Sequence, residues 1–150
     1  MEENLLVAPP TFKLYSNRSI YIGTFLGGPL AAGYLIAENF KALGQPDKIR
    51  NTWIIAILAT IAIFVAAFLI PGLEKIPPYI VPLIYTTIAQ FILQRLQGPS
   101  IKLHDEKGGF FFSVWRAVLI GIIGVAITIA IAVVVLLVTD KEVLDSLFNR

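Results

Sequence analysis

The charged side chains of this chain avoid four long stretches. Its 12 basic and 10 acidic residues, and its single histidine, all fall outside 19–37, 51–73, 76–94 and 117–139. Those stretches are 19, 23, 19 and 23 residues long. An α-helix rises about 1.5 Å per residue, so each suffices to cross a hydrocarbon core of about 30 Å. A soluble helix would carry one polar face, whereas these are apolar nearly all round. Barrel strands would run about ten residues with alternating polarity. The run from Val114 to Val138 instead has only Arg116, Thr128 and a few small residues among Ile, Val, Leu and Ala. In lipid, a helix satisfies its own backbone groups where a lone strand cannot. The expected fold class is all-α: a polytopic membrane protein, a bundle of four transmembrane helices with short loops.

The domain organisation follows. Residues 1–18 are an N-terminal lead-in, 19–139 the four-helix membrane domain, and 140–150 a C-terminal tail. The spans are expected at about 19–43, 52–70, 78–96 and 114–139. Ser19 is a candidate N-cap for the first, and Gly44 followed by Pro46 is a stop signal, glycine at C′ and proline just beyond. Asn51-Thr52 is expected to cap the second span and Pro71-Gly72 to end it. The short turn after it makes the second and third spans an antiparallel hairpin. Trp53 and Trp115 stand where interfacial aromatics belong. Residues 97–112 are expected as loop, and Val143, Leu144 and Leu147 as a short amphipathic turn in the tail. The second and fourth spans carry no pattern beyond apolar filler.

Little polar sequence remains outside the spans, so function must reside in the bundle, its loops or a partner. With no cysteine, disulfides and thiolate metal sites are excluded. A net charge of +2 gives no nucleic-acid footprint. The acidic start, Met1-Glu2-Glu3, argues against a cleaved signal peptide, so the first apolar run is read as a retained helix. With four crossings, the lead-in, second loop and tail share one side and hold five Lys and Arg, against seven on the other. The positive-inside rule then places both termini outside a bacterial inner membrane.

Two stretches resemble an uncharacterised family of small bacterial four-span membrane proteins. One runs from Thr24 through Gly27-Gly28-Pro29 to Tyr34 and on to Asn39-Phe40-Lys41-Ala42-Leu43-Gly44. The other is His104–Gly109 followed by Ser113-Val114-Trp115-Arg116-Ala117. The resemblance implies a bacterial four-span protein and carries no activity with it.

Two features stand out as candidate sites. Gly27-Gly28-Pro29 lies inside the first span. Proline removes one helical hydrogen bond and frees the carbonyl near Phe25, and the glycines beside it make the helix easy to break. A break would make Pro29 the first residue of a half-helix whose free N–H groups sit at membrane depth, as in transporters. The plainer alternative is a kinked helix whose small residues (Gly23, Gly27 and Ala31, or Gly28 and Ala32) admit a neighbour. The second feature is a polar face on the third span, with Thr86 or Thr87, Gln90 and Gln94 three or four residues apart. It either lines a polar path or makes interhelical hydrogen bonds worth about 0.6 kcal/mol each.

Other features carry less. His104-Asp105-Glu106 lacks the spacing of a metal or acid–base site and reads as solvated loop charge. Arg95 and Arg116 read as headgroup anchors, and Glu38 with Lys41 as a surface pair. No catalytic, cofactor-binding or metal motif is present.

The expected function is a non-enzymatic scaffold or accessory component of a membrane complex. Its partners would be the lipid bilayer and either further copies of itself or a larger membrane protein. The alternative is a small oligomeric transporter or channel with a polar path between helices one and three. A lipid-acting enzyme using His104 is a third hypothesis.

Overall fold

The computed structural model describes residues 9–139. The tail with Val143, Leu144 and Leu147, and the first eight residues of the lead-in, lie outside the described residues. Within them are five α-helices: α1 Asn17–Ala42, α2 Pro46–Leu69, α3 Ile80–Leu96, α4 Gly98–Glu106 and α5 Val114–Thr139. Two short strands, β1 Lys13–Leu14 and β2 Phe110–Phe111, pair in parallel. Three helices are long and apolar enough to cross a membrane: α1, α2 over Pro46–Ala67, and α5 over Val114–Val138. The third expected span, α3, is apolar but only 17 residues long.

Length does not make α1 a crossing. Tyr15 and Asn39 are 24 residues apart, which a continuous helix would turn into about 36 Å. Yet the Tyr15 N–H donates to Asn39 Oδ1 at 2.7 Å, and Asn39 Nδ2 donates to the Tyr15 carbonyl at 2.9 Å. A Cβ on Gly23 would lie 2.5 Å from Leu35 Cδ1, and one on Gly27 would lie 2.6 Å from Ala31 Cβ. Contacts at 23 with 35 and 27 with 31 are the ladder of an antiparallel pair. So α1 is a helical hairpin that turns at Gly28, where φ is 71° and ψ is −166°. Its halves, 17–27 and 29–42, are about 16 and 21 Å long, each too short to cross the core. Of the two expected forms of the first span, kinked or broken at Gly28-Pro29, the structure has the broken one, folded back as a hairpin. A bilayer accepts such irregular backbone only where protein or a cavity surrounds it.

The reversal needs glycine. That combination of φ and ψ belongs almost solely to glycine, and other residues incur about 1–3 kcal/mol there. Nothing lies within 4 Å of where a Gly28 Cβ would sit. Gly28→Ala should therefore lower stability by about 1–3 kcal/mol through backbone strain alone, seen as a lower thermal midpoint in detergent.

The three remaining long helices pack around the hairpin, and no two of them make more than incidental contact with one another. Helix α5 runs alongside the first half of α1. A Cβ on Gly121 would lie 3.1 Å from the Gly23 carbonyl, and one on Gly124 2.7 Å from the Gly27 carbonyl. Ala117, Gly121 and Gly124 thus form the complementary small-residue row to Gly23 and Gly27, so α5 is more than filler. Helix α2 approaches the second half, where Gly33 faces Ala56. Outward faces of α2, α3 and α5 are exposed Ile, Leu and Val, while α1 holds most of the core.

Both ends of α1 lie at one end of the molecule, with the α1–α2 turn and all of 97–113. The turn 70–79 and the end of α5 lie at the other. This corrects the expected grouping of the lead-in with the second loop.

Other boundaries shift for local reasons. Ser16, not Ser19, caps α1, its hydroxyl accepting from the Ser19 N–H at 3.2 Å. Gly44 is left-handed as expected, with φ 68°. Pro46, however, opens α2 instead of trailing α1, because a first-turn position needs no N–H. Asn51 and Thr52 consequently sit inside α2. The expected loop 97–112 contains α4, opened by Gly98-Pro99 in the same way.

Candidate functional site

The polar face of α3 meets the hairpin at three levels. Nearest the tip, the Tyr85 hydroxyl donates to the Phe25 carbonyl at 3.1 Å, supplying a partner to an acceptor that the end of the first half leaves free. Toward the open end, Gln90 Nε2 donates to the Asn17 carbonyl at 3.1 Å. At the end of α3, Gln97 Nε2 donates to the Ile36 carbonyl at 2.9 Å, while Gln97 Oε1 accepts from Asn39 Nδ2 at 3.2 Å. Asn39 completes the node by bonding both backbone groups of Tyr15, as a neighbouring strand would. Asn39 and Gln97 are 1% and 0% exposed, so water does not compete for these bonds.

Above this node sits a clasp of aromatic residues. The β1–β2 pair brings Leu14 against Phe111, and the Phe112 N–H donates to the Leu14 carbonyl at 2.9 Å. The Tyr15 ring lies 4.7 Å from that of Phe112, and Arg116 stacks on Phe112 at 4.3 Å. Burial pushes the Tyr15 phenol above its ordinary range, with the Arg116 guanidinium pulling the other way. His104 is not a solvated loop charge. It lies on α4, is 3% exposed, and packs between Phe12 and Phe111 with ring centroids at 5.0 and 5.3 Å. Its Nε2 is 3.0 Å from the Phe110 carbonyl, and a Cβ on Gly109 would strike the ring. Its sequence neighbours Asp105 and Glu106 are exposed, and Glu106 pairs with Lys102 at 3.7 Å. Among the described residues, no three His, Asp or Glu side chains gather as a metal site.

The five residues singled out from sequence divide between two places. Gly27, Gly28 and Pro29 form the hairpin tip, with Gly27 seated against the backbone of Gly121. Gln90 bonds Asn17, 11 residues before Gly28 and thus about 16 Å away along the helix axis. Gln94 lines a surface recess with Ser16, Asn17, Lys102 and Asp105. No single site between helices one and three contains all five. Asn39, Gln97 and Tyr85 were missed. Gln97 extends the register of Gln90 and Gln94 by one more step, and that repeat was the available signal. Beyond the tip, a recess of about 250 Å³ is lined by Gly28, Pro29, Thr60, Phe64, Val125 and Thr128, among others. The two threonine hydroxyls there donate to carbonyls of their own helices, Ala56 and Gly124.

No family model, curated protein or solved structure matches this chain. The geometry above is therefore what bears on function.

Proposed function

We propose that the chain is a non-enzymatic scaffold or accessory component of a membrane complex. In this reading α2, α3 and α5 cross the bilayer around the re-entrant hairpin, with α3 completed by the apolar residues that precede it. One observation carries the proposal: three polar side chains on α3 and at its end that a solute path could use are bonded to the hairpin, while Gln94 lines a surface recess. Tyr85, Gln90 and Gln97 each donate to an α1 carbonyl. What remains for partners is the apolar outer surface of three separately held helices and the clasp at one end.

The same arrangement supports an orientation. The end with the clasp carries Lys13, Arg18, Lys41, Lys48, Arg50, Arg95, Lys102, Lys107 and Arg116, nine of the 12 basic residues. By the positive-inside rule that end is cytoplasmic, in place of the five-to-seven division that four crossings would give. The inner membrane of a bacterium is the setting that the sequence resemblance implies.

Gly28-Pro29 favours a second reading, a small oligomeric transporter or channel. A half-helix start near the bilayer midplane, above a recess, is how transporters present N–H groups to a substrate. Gln90→Leu separates the two readings. Under the scaffold reading it lowers the thermal midpoint by the loss of one membrane hydrogen bond, about 0.6–1 kcal/mol, and leaves solute flux into proteoliposomes at the empty-vesicle level. Flux in the parent protein that Gln90→Leu or Gly28→Ala abolishes would overturn it. Gentle-detergent purification should recover the chain in a complex larger than a monomer.

A further inference from the structure

Helices α2 and α3 leave a slot between them, floored by the second half of α1. Its volume is about 330 Å³, and its walls include Gly33, Ile36, Ala56, Ala59, Ile88 and Ile92. It follows α2 from Thr52 to Ile63 and α3 from Leu96 back to Val81, which is about 16–22 Å of helix. Spread over that length, the volume makes a trough narrower than the 10–12 Å of a helix with its side chains. A chain of methylene groups fits, and the gap between the two helices opens sideways to lipid.

The end of this slot nearest the clasp is basic. Lys48 precedes Thr52 by one turn on α2, and Arg95 follows Ile88 by seven residues on α3, so helical register places each cation just beyond the end of one wall. Lys48 Nζ rests 5.4 Å from the Phe40 ring and Arg95 Cζ 5.1 Å from the Phe91 ring. Neither has a carboxylate within ion-pairing distance among the described residues, whose ion pairs are Lys41 with Glu38 and Lys102 with Glu106. The nearest acid in sequence, Asp47, falls on the other side of α2 by helical register. From this we infer that the slot is a binding site for one acyl chain of an anionic phospholipid, its phosphate held between Lys48 and Arg95. An apolar trough alone would take any lipid. The cation pair at headgroup level selects charge, since each basic group near a membrane surface strengthens binding to anionic lipid.

The site stands independently of whether the protein scaffolds or transports. Native mass spectrometry of the intact protein in mild detergent, with phosphatidylglycerol or phosphatidylethanolamine of matched chains, tests it. The parent protein should retain phosphatidylglycerol about tenfold better. Lys48→Gln with Arg95→Gln should bring the two lipids level. Ala59→Phe, which fills the trough and leaves both charges, should release both lipids while size-exclusion chromatography shows an unchanged particle. Glycerol phosphate, which has the headgroup and no chain, should not compete. Equal retention of the two lipids by the parent protein would overturn the inference, as would a preference that survives loss of both cations. A change of oligomeric size in Ala59→Phe without lipid loss would assign the slot to a protein partner instead and equally defeat it.

Discussion

Single cysteines at Thr11, Lys41 and Lys107 will react with a membrane-impermeant thiol reagent from one side of the bilayer, and a cysteine at Lys75 from the other. The native chain has no cysteine, so each variant reports one position. All four native side chains are exposed. Four straight crossings would put Thr11 with Lys75 and place Lys41 and Lys107 opposite them. A hairpin in α1 moves Thr11 to the company of Lys41 and Lys107 and leaves Lys75 alone. The result is all-or-none, because a reagent either reaches a position or is stopped by about 30 Å of hydrocarbon. The expectation rests on hydrogen bonds between Tyr15 and Asn39, residues that a straight α1 would hold on opposite membrane faces. Labelling of Thr11 together with Lys75 would return α1 to a crossing and, with it, the even charge division.

The membrane character was legible because it depends on composition alone: a charge-free gap of 23 residues marks α5 wherever its neighbours lie. The hairpin was not legible, since 19 apolar residues have the same composition whether they form one crossing or two halves folded together. Gly27-Gly28-Pro29 marked where the helix is weak and said nothing about the angle there. That angle depends on groups far apart in sequence, Tyr15 against Asn39 and Gly23 against Leu35. The polar face of α3 was found at Gln90 and Gln94, but its partners are main-chain carbonyls, which every residue possesses and no pattern reveals. The small-residue row of α5 was hidden in a long, mostly apolar helix because its meaning depends on Gly23 and Gly27 lying opposite. His104 was misplaced for a related reason: a histidine beside two acids looks solvated until Phe12, more than 90 residues earlier, is seen packed on it.

Among side-chain substitutions, Asn39→Ala should have the largest effect on stability. Asn39 accepts one hydrogen bond from Tyr15 and donates to both the Tyr15 carbonyl and Gln97. Removing it leaves a buried N–H and two buried acceptors without partners, at about 1–3 kcal/mol for each group that cannot relax toward water. Partial relaxation brings the expected loss to about 3–5 kcal/mol. Asn39→Asp is no rescue, because a carboxylate accepts from the Tyr15 N–H but cannot donate to the other two oxygens. Gln97→Met removes one partner from the node and one bond to Ile36, so it should cost less. The double variant should fall short of the sum, since the bond between Asn39 and Gln97 can be lost only once. Thermal unfolding in detergent measures these values, and limited trypsin digestion locates the damage. If the node ties the lead-in to the hairpin, cleavage after Lys13 and Arg18 accelerates in Asn39→Ala well below its unfolding temperature, while α5, held by Gly121 and Gly124 against Gly23 and Gly27, stays protected. Cleavage that rises only with global unfolding would mean that the clasp and the hairpin open as one unit, and that the small-residue seam cannot hold α5 without the node.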